Sequence, residues 1–189
     1  MYMKQTKKLN KKTKKNKINY FSKNDFGSGD GMLTTVWGPS LWHALHTISF
    51  NYPVKPTYKE KINYRNFILQ LKHVLPCKYC RMNLKNNFKQ LPLTMSKMKS
   101  RDTFSKYVYD LHELINKMLG KKSGLTYADV QQRYEHFRAR CNKLKKTVKH
   151  KKGCVVPFHK VKSKGVVNII PHDTKCDSIQ VDDKCFAVN

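Results

Sequence analysis

Lysine is spread so unevenly along this chain that it marks where folding can begin and end. The stretches Met1–Lys23 and Asn142–Lys164 are dominated by Lys and polar residues, and such segments bury too little apolar area to offset the entropy of ordering their backbone. They read as solvated arms. The expected organisation is a lysine-rich flexible arm over residues 1–32, one folded domain over 33–141 and a basic, cysteine-containing tail over 142–189. Gly27-Ser28-Gly29-Asp30-Gly31 reads as the joint before the domain.

The charge that accompanies this layout, +27 from 39 Lys+Arg against 12 Asp+Glu, attracts polyanions through counterion release, so weak polyanion binding through the basic tails is an expectation. It says nothing about chemistry. No apolar run approaches the roughly 18–20 residues of a membrane span, and the first residues are not followed by the apolar stretch of a secretory signal. A protein without a transmembrane segment or signal peptide, and cytoplasmic, is expected.

Inside the domain the apolar spacing is helical. Trp37-Gly38-Pro39 opens a first helix, with proline suited to its first turn, and Trp42, Leu45, Ile48 and Ser49 share a face that ends before Pro53. Thr57 and Glu60 form a capping-box pattern for a second helix reaching about Leu75, whose expected buried face is Tyr58, Ile62, Phe67, Leu71, Val74 and Leu75. Pro76 restarts the chain and puts Cys77 in the first turn of a third helix that fades near Asn87 or Gln90. Phe104, Val108, Leu111, Ile115 and Met118 alternate four and three apart in a fourth, stopped by Gly120. Thr126 and Asp129 cap a fifth, with a stripe of Val130, Tyr134, Phe137, Cys141 and Leu144. The short β-branched runs after Gly153 and after Gly165 are compatible with a hairpin or an extended arm.

Six cysteines leave a disulfide scaffold, a metal site and redox chemistry open until spacing is considered. In Cys77-Lys78-Tyr79-Cys80 one helical turn brings both sulfurs to the same side, so the pair can close and open. The helix N-terminus, Lys78 and Arg81 favour a thiolate at Cys77, the form that attacks a disulfide. A structural zinc site would normally call for a second close pair of ligands, and a thioredoxin-type site would want a strand before the motif. Redox chemistry on an all-helical scaffold is what remains.

Several motifs then agree with one family. Trp37-Gly38-Pro39-Ser40-Leu41-Trp42, Leu45-His46-Thr47, Tyr52-Pro53, Pro76-Cys77-Lys78-Tyr79-Cys80-Arg81, Ser100-Arg101 and His112-Glu113-Leu114-Ile115-Asn116-Lys117 with Leu119-Gly120-Lys121 resemble, in order and spacing, the Erv/Alr-type FAD-linked sulfhydryl oxidases. The resemblance implies an all-α four-helix bundle with a short additional helix, a homodimer, and an FAD-dependent thiol oxidase that makes disulfide bonds in thiol-containing protein substrates. Electrons would pass from Cys77/Cys80 to FAD and then to oxygen, with Cys80 as the flavin-proximal sulfur. The residues expected around the cofactor are Trp37, Gly38, Trp42, His46, Tyr52, Cys80, His112, Asn116, Lys117, Lys121 and Tyr134, with no metal.

Three departures accompany the likeness. Glu113 stands where many members have asparagine, Tyr109 and the Leu125-Thr126 region stand where cellular members often carry a structural disulfide, and Tyr134 replaces a common tryptophan. The missing disulfide resembles the virus-encoded branch, which would place the chain in host cytoplasm or virion. For the tail cysteines Cys154, Cys176 and Cys185 the resemblance implies a shuttle pair, Cys176 with Cys185 before the others; a plain tail disulfide or free thiols is an equal alternative, and His150, Cys154, His159, His172 and Cys176 offer a zinc site as a third. The rival to the whole reading is a basic nucleic-acid-binding protein without enzymatic activity, prompted by pairs such as Lys7-Lys8 and Lys14-Lys15.

Overall fold

The computed structural model describes residues 22–140, 154–159, 163–171 and 173–174. Two compact units divide the chain, one ending at Asp30 and the other beginning at Gly31. In the first, Ser22 and Asp25 form a reciprocal capping box that opens a five-residue helix, α1 (Lys23–Gly27). The sequence suggests only a flexible arm there; a local capping box is enough to form one turn even though the helix buries nothing.

The second unit holds α2 (Thr34–Phe50), α3 (Tyr58–Val74), α4 (Lys78–Gln90), a 3₁₀ turn η1 (Met95–Met98), α5 (Arg101–Met118) and α6 (Tyr127–Glu135). This is the expected helical bundle, with four long helices and a short fifth one. Among the described residues the β-structure is limited to two isolated bridges, Gly31 with Cys77 and Ala139 with Pro157. α5 is the central element and touches α2, α4, η1 and α6. Its amphipathic spacing explains that place: Phe104, Tyr107, Val108 and Leu111 are all buried, within a cluster that includes Leu45, Ile68, Leu84 and Met98.

Local chemistry sets the boundaries. Thr57 with Glu60, Ser100 with Thr103 and Thr126 with Asp129 are reciprocal capping boxes at the starts of α3, α5 and α6. Each satisfies two backbone donors that a helix N-terminus leaves unpaired. Gly120, at φ +65°, turns the chain after α5 in the left-handed conformation that glycine adopts without a Cβ penalty. The connection from α4 to α5 is pinned from inside. Arg65 Nε donates to the Leu93 carbonyl (2.7 Å), the Tyr107 hydroxyl to Leu91 (3.0 Å) and the Tyr52 hydroxyl to Met98 (2.9 Å).

Several expectations are corrected. α2 begins three residues before Trp37, at Thr34, so Pro39 lies inside the helix and not in its first turn. The earlier start follows from anchoring: Met32 N–H donates to the Pro76 carbonyl (2.7 Å) and the Trp37 indole to the Met32 carbonyl (3.0 Å). On α3, Tyr58, Phe67 and Val74 are exposed, and Ile68 is the residue buried in their stead. Adjacent apolar residues blur the period of this helix, and packing against α4 and η1 chose the face. Met118 is exposed at the end of α5. α6 stops at Glu135, leaving Phe137 beyond it and exposed, while Cys141 and Leu144 lie outside the described residues.

The tail makes no hairpin in its described part. Residues 154–159 instead return to the end of the domain, where Arg140 N–H donates to Val156 (2.8 Å) and Phe158 N–H to Arg138 (2.7 Å). The Arg140 guanidinium sits over the Phe158 ring at 4.6 Å. Residues 163–171 form no regular element.

Candidate active site

The redox pair sits at a junction of three segments. Cys77 is the N-cap of α4, not a residue of its first turn, and its Sγ accepts from the Cys80 N–H at 3.2 Å. One helical turn separates the two residues, their Cα atoms lie 5.2 Å apart and the sulfurs are joined in a disulfide. Behind the pair, the antiparallel bridge between Gly31 and Cys77 brings the start of α2 against the start of α4. Gly31 is held at φ +95°, and a Cβ there would stand 2.6 Å from the Pro76 carbonyl oxygen. Only glycine fits. The close approach carries Thr34 to the dithiol, with its Oγ1 3.6 Å from Cys80 Sγ. A hydroxyl in that place can donate to a sulfur that has become a thiolate. Sequence reading missed Thr34, which lies 46 residues from its partner and belongs to no motif.

Toward the other end of α2, α5 and α6 build an aromatic and imidazole cluster. The Trp42 and His112 rings stack at 3.9 Å with 6° between planes, and His46 Nε2 lies 3.0 Å from His112 Nδ1. Tyr134 packs over His46 and stacks on Phe50, and its hydroxyl lies 3.2 Å from His43 Nδ1. Burial pushes His46 down to about 3, with the nearby His112 and His43 adding to the effect, and pushes His112 down to about 4. Both imidazoles are therefore neutral at neutral pH, and their mutual bond has one donor and one acceptor. Burial likewise raises the Tyr134 phenol to about 12, which keeps it protonated.

The remaining candidates fall into two groups. Asn116 lies one turn after His112 and donates from Nδ2 to Glu113 Oε1 at 3.0 Å. The departure at Glu113 thus places a carboxylate on the amide of Asn116. Lys117 and Lys121 are exposed and flank a cleft of about 760 Å³ between α5 and the connection to α6. In the same region the Tyr109 hydroxyl donates to the Leu125 carbonyl at 2.8 Å, tying α5 to that connection at the positions where cellular relatives are expected to have a disulfide. Tyr52, by contrast, is wholly buried with its hydroxyl committed to Met98; Trp37 spends its indole N–H on Met32, and Gly38 lies buried in α2. These three are structural in their contacts.

A flavin needs aromatic faces, hydrogen-bonding edges and cations for its phosphates, and the residues present fit it. His46 Nδ1 is buried with no partner among the described residues, a polar atom whose desolvation is uncompensated unless something else bonds it. Stacked Trp42 and His112 offer ring surface beside it, and the lysines and the cleft lie further along the same helix, α5, or just past its end.

A model of the Erv1 / Alr family matches residues 39–135, a span that takes in the redox pair, the histidine cluster and α6. The chain belongs to the Erv1 / Alr family. Among its relatives, a probable FAD-linked sulfhydryl oxidase of Acanthamoeba polyphaga mimivirus is 34% identical over 104 residues, covering 55% of this chain and 72% of the relative. An FAD-linked sulfhydryl oxidase of African swine fever virus (isolate Pig/Kenya/KEN-50/1950) is 30% identical over 99 residues, 52% of this chain and 80% of its own. The crystal structure of a mutant Erv1 from Saccharomyces cerevisiae, 22% identical, superposes with a TM-score of 0.50 over 56% of this chain and 86% of that one, a likeness of fold. Nothing among these relatives supports the nucleic-acid-binding alternative.

In the tail, Cys154 carries a disulfide. The expected Cys176–Cys185 shuttle pair lies outside the described residues, as do His150, His172 and Cys176 of the zinc alternative. No group of metal-binding side chains occurs among the described residues.

Proposed function

We infer that this chain is an FAD-dependent thiol oxidase that forms disulfide bonds. The observation that carries the reading is the Cys77–Cys80 disulfide at the N-terminus of α4 in a chain of the Erv1 / Alr family. Bound FAD would supply a two-electron acceptor for the reduced dithiol. Trp42, His46, His112 and Tyr134 would hold it with ring surface and imidazole edges, Asn116 with an amide, and Lys117 and Lys121 with charge for the phosphates.

The chain's own chemistry begins with a substrate thiolate attacking Cys77 Sγ. A substrate–Cys77 bond forms, the Cys77–Cys80 bond breaks, and Cys80 leaves as a thiolate. The second substrate thiol then displaces Cys77, releasing an oxidised substrate and leaving two electrons and a proton-balanced dithiol on the enzyme. Cys77 is the sulfur that substrate meets, since it caps the helix end, while Cys80 packs against the core. Its departure as an anion is eased by the unpaired N–H groups of the helix end and by the Thr34 hydroxyl.

Oxygen as acceptor, a homodimer and weak polyanion binding by the basic tails complete the proposal. Phe67 and Val74, exposed two turns apart on α3, are apolar surface available to a second copy. No described helix is long and apolar enough to cross a membrane. Purified protein should be yellow and consume oxygen with dithiothreitol. A folded, flavin-loaded Cys80→Ser protein with unchanged turnover would overturn the assignment of Cys80.

A further inference from the structure

The surface beside the dithiol is polarised. From Lys61 to Arg101 the chain contains no Asp or Glu. The acids of the later helices fall on α5 and α6: Asp102, Asp110, Glu113, Asp129 and Glu135. α4 itself carries only cations, and they are in register. Lys78, Lys85 and Lys89 are spaced seven and four apart, which sets them on one face of the helix with Met82 among them, and all four are exposed. Arg81 borders the row, with Nη1 bonded to the Leu75 carbonyl. None of these cations has an ion-pair partner among the described residues, where the only close pairs are Lys106–Asp110 and Arg138–Glu135.

The row starts beside Cys77 and runs down the helix. At about 1.5 Å per residue it extends roughly 16 Å from Lys78 to Lys89, the length of about five residues of extended peptide. Its upper end is flanked by exposed apolar side chains, Tyr79 on α4 and Leu33 in the segment that pairs with Pro76 and Cys77. A row of unpaired like charges beside a reactive sulfur repels itself and is relieved by a bound anion.

We propose that the lysine face of α4 is a docking track for thiol substrates whose reactive cysteine adjoins an extended acidic segment. This inference rests on the oxidase reading and names the substrate class of the same site. Binding delivers the substrate thiolate to Cys77; the exchange that follows is the one already described, with no further reactant.

The test uses the flavin-loaded chain of residues 1–189 and three synthetic dithiol peptides, identical except for a flanking run of aspartate, serine or lysine. Dithiothreitol serves as the uncharged control. At low salt the aspartate peptide should have a kcat/KM about tenfold above the serine peptide, the lysine peptide should fall below it, and the advantage should shrink as salt screens the charges. Lys85→Glu/Lys89→Glu, two and three turns from the dithiol, should abolish the preference and leave dithiothreitol turnover unchanged. Lys55→Glu/Lys59→Glu removes the same charge elsewhere and should retain it. Equal rates for the three peptides would overturn the proposal. So would a preference that survives the α4 reversal, or one that both double variants lose alike, since each would trace it to bulk charge. Failure with dithiothreitol strikes the oxidase reading instead; fluorescence anisotropy of the same peptides with serine for cysteine then still tests the track, through its dependence on Lys85 and Lys89.

Discussion

His46 offers the sharpest thermodynamic test of the cluster between α2, α5 and α6. Its imidazole is 3% exposed, and folding lowers its pKa from 6.5 to about 3. Because the folded value is depressed, the unfolded chain binds the proton more readily at every pH between those values. Stability from this group is therefore complete above pH 6.5 and declines as pH falls, until the folded pKa is reached. Between pH 7 and pH 5 the ratio of the two binding polynomials corresponds to a loss of about 2 kcal/mol from His46. His112, lowered to about 4, adds a loss of its own in the same window, so the contribution of His46 is read as a difference between proteins; carboxylates with lowered pKa, such as Asp25, Glu60 and Asp129, contribute mainly below it. Urea denaturation of the apo protein at both pH values should show the loss. In His46→Leu, which removes the titrating group while keeping a side chain of similar size, the difference between pH 7 and pH 5 should shrink by about that amount. An undiminished difference would mean that His46 is not held neutral by burial, and the account of the His46–His112 bond would fail with it.

Gly31→Ala places a Cβ against the Pro76 carbonyl in a left-handed backbone, which should cost about 1–3 kcal/mol in thermal denaturation and loosen the Cys77 segment, seen as faster alkylation of the reduced dithiol. Tyr109→Phe removes the hydroxyl that holds the Leu125 carbonyl, and should lower stability by about 1 kcal/mol. Adding reductant should leave that difference intact, since no disulfide crosses there. Thr34→Val, nearly isosteric, should slow alkylation of Cys80 in the reduced protein at neutral pH, and Thr34→Ser should restore it. Equal alkylation rates in Thr34→Val and the parent would remove the hydroxyl from the site.

The helices of the bundle were legible because their signals are local. Capping pairs separated by three residues, a stripe along α5 and a glycine after it are written within single turns of chain. Where two faces of one helix were comparably apolar, as on α3, the pattern was silent about which would be covered. Pro39 misled for a related reason: the start of α2 is fixed by bonds to Pro76 and Met32 across the fold, not by the proline. The contiguous motif around Cys77 and Cys80 likewise declared its chemistry without tertiary information. Tyr52 was different, since the motif containing it was recognisable while its burial and its bond to Met98 were not.

By itself, then, the amino-acid order determined the all-helical class, the caps at Thr57 and Thr126 and the pair of sulfurs able to exchange with a thiol, because each depends on residues within a few positions of one another. Only the folded chain decided that Thr34 meets Cys80, that His46 and His112 share a proton in a buried cluster under Tyr134, and that Tyr109 ties α5 to Leu125. Those contacts join residues 16 to 88 positions apart, and their existence depends on which helix faces come together. That choice is settled by the packing of the whole core, through buried area and volume summed over many side chains, and no short stretch of sequence encodes it.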